Sequence, residues 1–299
     1  MGCWENIGCN ANDGACHGGI LPSVGTDVNH HCIAFAALLG SLPVRILITN
    51  DDGLRSPGIH ALHEVAQNYG DAIIVAPDRD RSGVSAAITL SEPLRVREVG
   101  RPDIYEVVSG TPTDCVYVGI NHVLRDNPPD LVLSGINPGP NLGWDVLYSG
   151  TVAGAREGVL QGLPAAAFSL MPGPEMPYDE IKPWVAQVIE RLIAEPPPPF
   201  VCINVNIPNP CKGTPGGLRV TKMGQRFYSK DMTVRNDPRG NEYLWIGGRE
   251  VHMPDIPGSD CNAIRDGMVS VTPLACNVTC NDTVAAMQHW AHTNKENIE

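Results

Sequence analysis

Two aspartates stand side by side in the turn Asn50-Asp51-Asp52-Gly53. Adjacent carboxylates repel, and a cation between or beside them relieves the repulsion. Their oxygens are hard ligands, so the ions they suit are Mg²⁺, Mn²⁺ and Ca²⁺. The same residues also suit a helix cap or a solvated turn, so the pair gains meaning from what else reaches it. A second polar loop, Ala76-Pro77-Asp78-Arg79-Asp80-Arg81-Ser82-Gly83, alternates charge and ends on a serine placed to face the two aspartates. A third segment runs Leu133-Ser134-Gly135-Ile136-Asn137-Pro138-Gly139-Pro140-Asn141-Leu142-Gly143 and continues to Tyr148-Ser149-Gly150-Thr151. A Ser-Gly-Thr turn that opens a helix presents backbone N–H groups and hydroxyls, which cap the helix or bind an anion. A carboxylate cation site beside an anion cradle is the pairing that metal-assisted cleavage of a phosphate ester needs.

The three segments meet only if the elements before them share a sheet. Residues 44–49 form a short β-branched run, and Pro57 opens a helical stretch with Leu62, Val65, Ala66 and Tyr69 at helical spacing and Gly70 at its end. Residues 72–76 read as a second buried strand stopped by Pro77. Further strands are expected at 105–108, 131–133, 165–170 and 201–205, with helices at about 112–124 and 152–161. Apolar strands joined by helical crossovers predict an α/β fold: a mostly parallel sheet covered on both faces. In such a sheet ligands bind beyond the carboxyl ends of the strands, where all three polar segments fall. After Pro208 the pattern turns to β-structure at 218–222, 243–246 and 268–272, a smaller β-rich C-terminal extension. The prolines at 196–199 are a stiff connector into the strand at 201.

The chain has 299 residues, 42% hydrophobic and 18% charged, with a formal charge of −12. That is long enough for one large domain, and the acidity argues against a nucleic-acid polymer as partner. No stretch reads as membrane-spanning; the apolar run from Cys32 is short and follows a polar stretch. Residues 1–43 are an atypical extension, expected to be disordered. Cys3, Cys9, Cys16, His17, His30, His31 and Cys32 lie there, at spacings that match no usual paired zinc ligands. The remaining cysteines form no close pair, so a disulfide framework is not expected and a reducing cytoplasm is. His60 and His63, three apart on the first helix, and Trp144 in the third polar segment are read as packing or surface residues.

Several motifs resemble, in order, those of the SurE survival-protein family of 5′/3′-nucleotidases. They are Thr49-Asn50-Asp51-Asp52-Gly53 with Ser56-Pro57-Gly58-Ile59, Val75 through Arg79 with Ser82-Gly83, and Gly110-Thr111-Pro112-Thr113-Asp114-Cys115-Val116. The third polar segment, Tyr148 through Ala153, Asp237-Pro238-Arg239-Gly240 and Val269 through Leu274 continue the match, which spans roughly residues 44–292. The resemblance implies hydrolysis of nucleoside 5′- and 3′-monophosphates, and of short polyphosphate. It implies one divalent ion per subunit, Mg²⁺ or Mn²⁺, held by Asp51, Asp52, Ser82 and Asn137, with Asp51 and Asp52 catalytic. Gly83, Asn141, Ser149, Gly150 and Thr151 would line the phosphate pocket. The implied architecture is a Rossmann-like core over about 44–207, a β-rich oligomerisation extension over about 208–275, a C-terminal helix, and a tail at 293–299. Exchange of elements between subunits would give a homodimer or homotetramer.

Other chemistries fit less well. A phosphatase with a nucleophilic aspartate wants Asp-x-Asp, whereas these aspartates are adjacent. A nucleotide-dependent dehydrogenase wants Gly-x-Gly-x-x-Gly after the first strand, which is missing. A non-catalytic nucleotide- or metal-binding regulator on the same scaffold stays open: it would hold a nucleoside monophosphate without releasing phosphate.

Overall fold

The computed structural model describes residues 43–248 and 250–291. The extension and its Cys/His residues, and the tail, lie outside them apart from Pro43.

Strand β1 (Val44–Thr49) shows why a continuous apolar run forms here: Ile46 and Ile48 point to one face of the sheet and Leu47 to the other, and all three are fully buried. It pairs in parallel with β2 (Gly70–Pro77) on one side and β5 (Leu131–Asn137) on the other, with Thr49 opposite Ser134. The central sheet also contains β3 (Arg95–Glu98), β4 (Ile104–Val108), β6 (Ala165–Leu170), β7 (Val201–Ile207), β8 (Leu218–Val220) and β13 (Val269–Ala275). Its order is β3-β4-β2-β1-β5-β6-β7-β13-β8. Strands β4, β2, β1, β5, β6 and β7 run parallel, while β3 and β13 run antiparallel to β4 and β7. The chain winds outward in opposite directions from β1, so the crevice between the ends of β1 and β5 is the topological switch point.

Four helices cover the faces. On one face α1 (Pro57–Ala66) contributes Ile59 and Leu62 to the core. On the other, α2 (Pro112–Val118) packs Cys115 and Val116, and α3 (Gly150–Leu160) packs Val152, Ala155 and Val159. Helix α4 (Tyr178–Ala194) joins α1, burying a stripe of Ile181, Val185, Val188, Ile189 and Leu192.

Strands β3 and those at 227–228, 232–236 and 250–252 are not among the sequence expectations, and other details differ. Gly70 starts β2 instead of ending α1; a Cβ there would lie 2.0 Å from the Val44 carbonyl oxygen, so the position must be glycine. The helix expected to reach residue 124 is α-helical only to Val118 and continues as a π-helical turn, Gly119–Val123. Helix α4 was not expected, although its apolar stripe recurs at helical spacing; Pro183 near its start disguises it.

The stretch after Pro208 divides in two. Strands β8 and β13 complete the main sheet, helped by α5 (Asp260–Arg265). Strands β9 (Phe227–Tyr228), β10 (Met232–Asn236), β11 (Glu242–Ile246) and β12 (Glu250–His252) stand outside it as two small antiparallel pairs. A short helix, α6 (Asn281–Met287), follows near the C-terminus. No helix among the described residues is long and apolar enough to cross a membrane, and the described cysteines are free thiols.

Candidate active site

The site grows from the end of β1. Asn50 is fully buried and closes the turn with its own side chain, accepting from Gly53 N at 3.2 Å and donating to Gly53 O at 3.1 Å. Gly53 has a φ of +90° and lies against the backbone of Arg79, so the turn and the second polar loop touch. Arg81 N donates to Asp51 O at 2.7 Å and Leu54 N to Pro77 O at 3.1 Å, which stitches the two loops together.

Asp51 is buried at 4% exposure, and Thr151 Oγ1 donates to its Oδ1. Its carboxylate therefore rests on the N-terminal turn of α3, whose positive dipole end favours it. Burial nevertheless pushes its pKa above the ordinary value, against the hydrogen bonds from Thr151, and the charge of Asp80 adds to the rise. Asp52 is raised to about 7, by burial first and then by the charges of Asp51 and Asp80. Its Oδ2 is buried without a hydrogen-bond partner. A buried carboxylate oxygen that is orphaned among like charges fits a cation, and carboxylate oxygens suit a hard one. Among the described residues no three His, Cys, Asp or Glu side chains gather as a ligand set, so a bound ion would complete its shell with neutral oxygens.

Two oxygens are expected to serve, those of Asn137 and Ser82. Asn137 ends β5, and its Nδ2 donates to Gly139 O at 2.7 Å, which leaves the amide oxygen to face elsewhere. Ser82 is exposed, and both its N and its Oγ donate to Asp80 Oδ1, at 2.7 and 2.6 Å. Asp80 thus holds Ser82 and charges the site, a contribution that composition and spacing alone did not single out.

The residues expected around the phosphate are largely busy within the protein. Ser149 Oγ caps α3 by accepting from Val152 N at 3.0 Å, which leaves its own O–H to donate. Gly150 lies so close to Asp51 that a Cβ would come within 2.8 Å of Asp51 Cβ. Asn141 is buried: its Nδ2 donates to Ser169 Oγ at 2.8 Å and its N to Asn206 Oδ1 at 2.8 Å. Its carbonyl accepts from Asn204 at 2.7 Å and from Asn206 at 3.0 Å. The buried amides of β7 therefore fix the third polar segment, and only the sheet brings them there. Gly83 adopts a φ of +74° with open space around it.

The motif Thr111 to Val116 has a structural task. Thr111 and Asp114 form a reciprocal cap on α2, and Asp114 also accepts from Thr89 N and Oγ1 at 2.8 and 2.6 Å. His63 is buried, with Nε2 3.1 Å from Ala72 O, so it is a core residue. Trp144 packs edge-on against Phe227 at 5.3 Å.

A pH dependence follows from Asp52. Its folded pKa of about 7 exceeds the ordinary 3.8, so between these values the folded chain keeps a proton that the unfolded chain has released. Cation-free protein is therefore expected to lose stability as pH rises from about 4 to about 7, and to level off above. Thermal melts across that range, with EDTA and then with Mg²⁺ or Mn²⁺, check this; the ion should restore stability most at the upper end.

Residues 46–230 match the family described as Survival protein SurE. The chain is 47% identical over 250 residues to the 5′-nucleotidase SurE of Anaeromyxobacter dehalogenans strain 2CP-C, covering 83% of this chain and 96% of that one. It is 44% identical over 257 residues to the 5′-nucleotidase SurE of Vibrio parahaemolyticus, covering 86% and 98%. The solved SurE protein of Aquifex aeolicus superimposes with a TM-score of 0.73 at 40% identity, over 82% of this chain and 99% of that one.

Proposed function

This chain belongs to the SurE survival-protein family, and from that premise we propose that it is a phosphomonoesterase releasing phosphate from nucleoside 5′-monophosphates. Support comes from the relatives that bear the name 5′-nucleotidase. The observation that carries the chemistry is the orphaned, buried Oδ2 of Asp52 beside Asp51 and Asp80 at the switch point. Activity on 3′-monophosphates and on short polyphosphate belongs to the same proposal.

Asp51, Asp52, Ser82 and Asn137 would hold one divalent ion, Mg²⁺ or Mn²⁺. Such an ion supplies a Lewis acid for a phosphoryl oxygen and makes water a better nucleophile near neutral pH. The protein's own residues do the rest. Thr151 locks Asp51 against α3, so that carboxylate is fixed before substrate arrives. Phosphate sits at the mouth of α3, lined by Asn141, Ser149, Gly150 and Thr151 with Gly83 opposite. There the Ser149 hydroxyl and the second amide hydrogen of Asn141 donate to phosphoryl oxygens, and the α3 dipole offsets the charge that builds up in the transition state. Asp52, the less buried of the pair, is placed to accept a proton from the attacking water.

The test is phosphate release from a panel of 5′- and 3′-nucleoside monophosphates, with Mg²⁺, with Mn²⁺ and with EDTA. Release that EDTA abolishes supports the proposal and ranks the substrates. Folded, ion-loaded protein that binds nucleotide and releases nothing would instead be a regulatory binding module.

The hairpin of β10 and β11 supports a homodimer or homotetramer. Both strands are exposed throughout, and they carry Met232, Val234, Leu244, Trp245 and Ile246, the last at 93% exposure. A lone two-stranded hairpin is at best marginally stable, and apolar side chains on both of its strands call for a covering surface. Light scattering is expected to find an oligomer, and Ile246→Asp should lower its mass towards that of a single chain.

A further inference from the structure

The nucleotidase proposal seats a phosphate but leaves the rest of the substrate without a surface. On the face carrying α1 and α4, a groove of about 410 Å³ separates the start of α1, which follows the Asp51-Asp52 turn, from the start of α4. Pro57, His60 and Glu64 form one wall; Met176, Pro177 and Tyr178 form the other. This end of α1 is pressed onto the end of β5: a Cβ on Gly58 would lie 2.0 Å from Ile136 O, next to Asn137. Tyr178 is half-buried and packs against the core. Its ring lines the groove; burial raises its pKa, and the charge of Asp52 raises it further.

The lining suits a flat, uncharged heterocycle on a sugar. The volume is that of a small-ligand pocket. A phenol ring, a thioether and two prolines give apolar faces for stacking, and the exposed His60 imidazole gives a donor or acceptor for a base edge or hydroxyl. The rim excludes phosphate. Glu64, Asp179 and Glu180 stand there, and the one ammonium, Lys182, is already shared between Glu64 and Asp179 at 2.5 Å each. A further phosphate group, or a polynucleotide chain, would meet net negative charge. Trp144 already spends a ring contact on Phe227, whereas the exposed Tyr148 precedes Ser149 on the α3 side of the site.

We propose that this groove is the nucleoside subsite: the base seats on Tyr178 between Met176 and Pro57, with His60 at its edge, and the phosphate reaches back to Asp51 and Asp52. The proposal rests on the nucleotidase reading, and its experiment separates the two. Kinetics are compared for the parent, Tyr178→Ala, Tyr178→Phe and His60→Ala, using adenosine 5′-monophosphate and p-nitrophenyl phosphate, which carries no base. Adenosine binding is measured alongside by calorimetry.

For Tyr178→Ala the KM for the nucleotide and the dissociation constant for adenosine should rise about tenfold or more. Its kcat/KM for p-nitrophenyl phosphate should stay within about twofold, because uniform binding of a remote group is all that is lost. Tyr178→Phe should behave like the parent, since the ring face is kept, and the exposed His60→Ala should raise the nucleotide KM more modestly. Parallel loss on both esters would overturn the subsite, because it would make Tyr178 a support of the catalytic centre. An unmoved nucleotide KM would overturn it too. Should the parent cleave neither ester, the hydrolase reading falls, and the adenosine titration alone decides the groove.

Discussion

Asp52→Asn is expected to lower ion-dependent phosphate release by about three orders of magnitude or more, with the folded structure intact. The substitution keeps the size of the side chain and removes its charge. At the orphaned Oδ2, the change either removes an ion ligand or replaces it with an amide N–H that repels a cation. A bound ion contributes several kcal/mol of transition-state stabilisation, and each 1.36 kcal/mol is a factor of ten in rate. Stability of the cation-free protein should move the other way. Asp52 is a buried carboxylate that resists ionisation near Asp51 and Asp80, so a neutral amide relieves repulsion and flattens the fall in stability between pH 4 and 7. Phosphate release, ion binding by calorimetry and thermal melts read the three effects separately. Near-parental turnover with a lost ion-dependent rise in melting temperature would show that the ion is structural and the catalytic assignment wrong.

Gly150→Ala should also disable the site while sparing the fold. The added Cβ would lie 2.8 Å from Asp51 Cβ and 3.1 Å from its Oδ2, and 3.2 Å from Pro112 Cγ. Something must shift, and Asp51 is the side chain in the way. Its bond from Thr151 would be strained as it moves. Displacing a catalytic group by about 1 Å costs on the order of 10²-fold in rate, so kcat is expected to drop by about that factor. Gly150 is the first residue of α3, so the helix-interior preference for alanine gives no offset there; the crowding should lower the melting temperature modestly while the chain still folds. A kcat within threefold of the parent would mean that the position of Asp51 does not matter to turnover. Thr151→Val, which keeps the shape and removes the donor, should reproduce part of the loss without any crowding.

Much of the fold and of the site could be read along the chain. The apolar run of β1 and the turn Asn50-Asp51-Asp52-Gly53 are local, because burial on both faces of a parallel sheet demands such a run and a tight turn demands Asn, Asp and Gly. Ser149 as the cap of α3 and the resemblance motifs follow from short-range rules in the same way. The candidate residues Asp51 and Thr151 are far apart in sequence; that they meet depends on α3 pointing its first turn at the end of β1, and β1 and β5 lying side by side bring their ends to the same edge. Which donors are already spent was not legible. Thr151 gives its hydroxyl to Asp51, and Asn141 gives part of its amide to a network with Ser169, Asn204 and Asn206, strand residues whose sequence neighbours say nothing of polar work. The pKa of Asp52 depends on burial and on Asp80 from another loop. The groove beside Tyr178 arises where α4 meets α1. Residue type and local spacing are written in the chain because they act over a few bonds; contact, desolvation and the sharing of hydrogen bonds act through space, and only the packed sheet with its helices sets those distances.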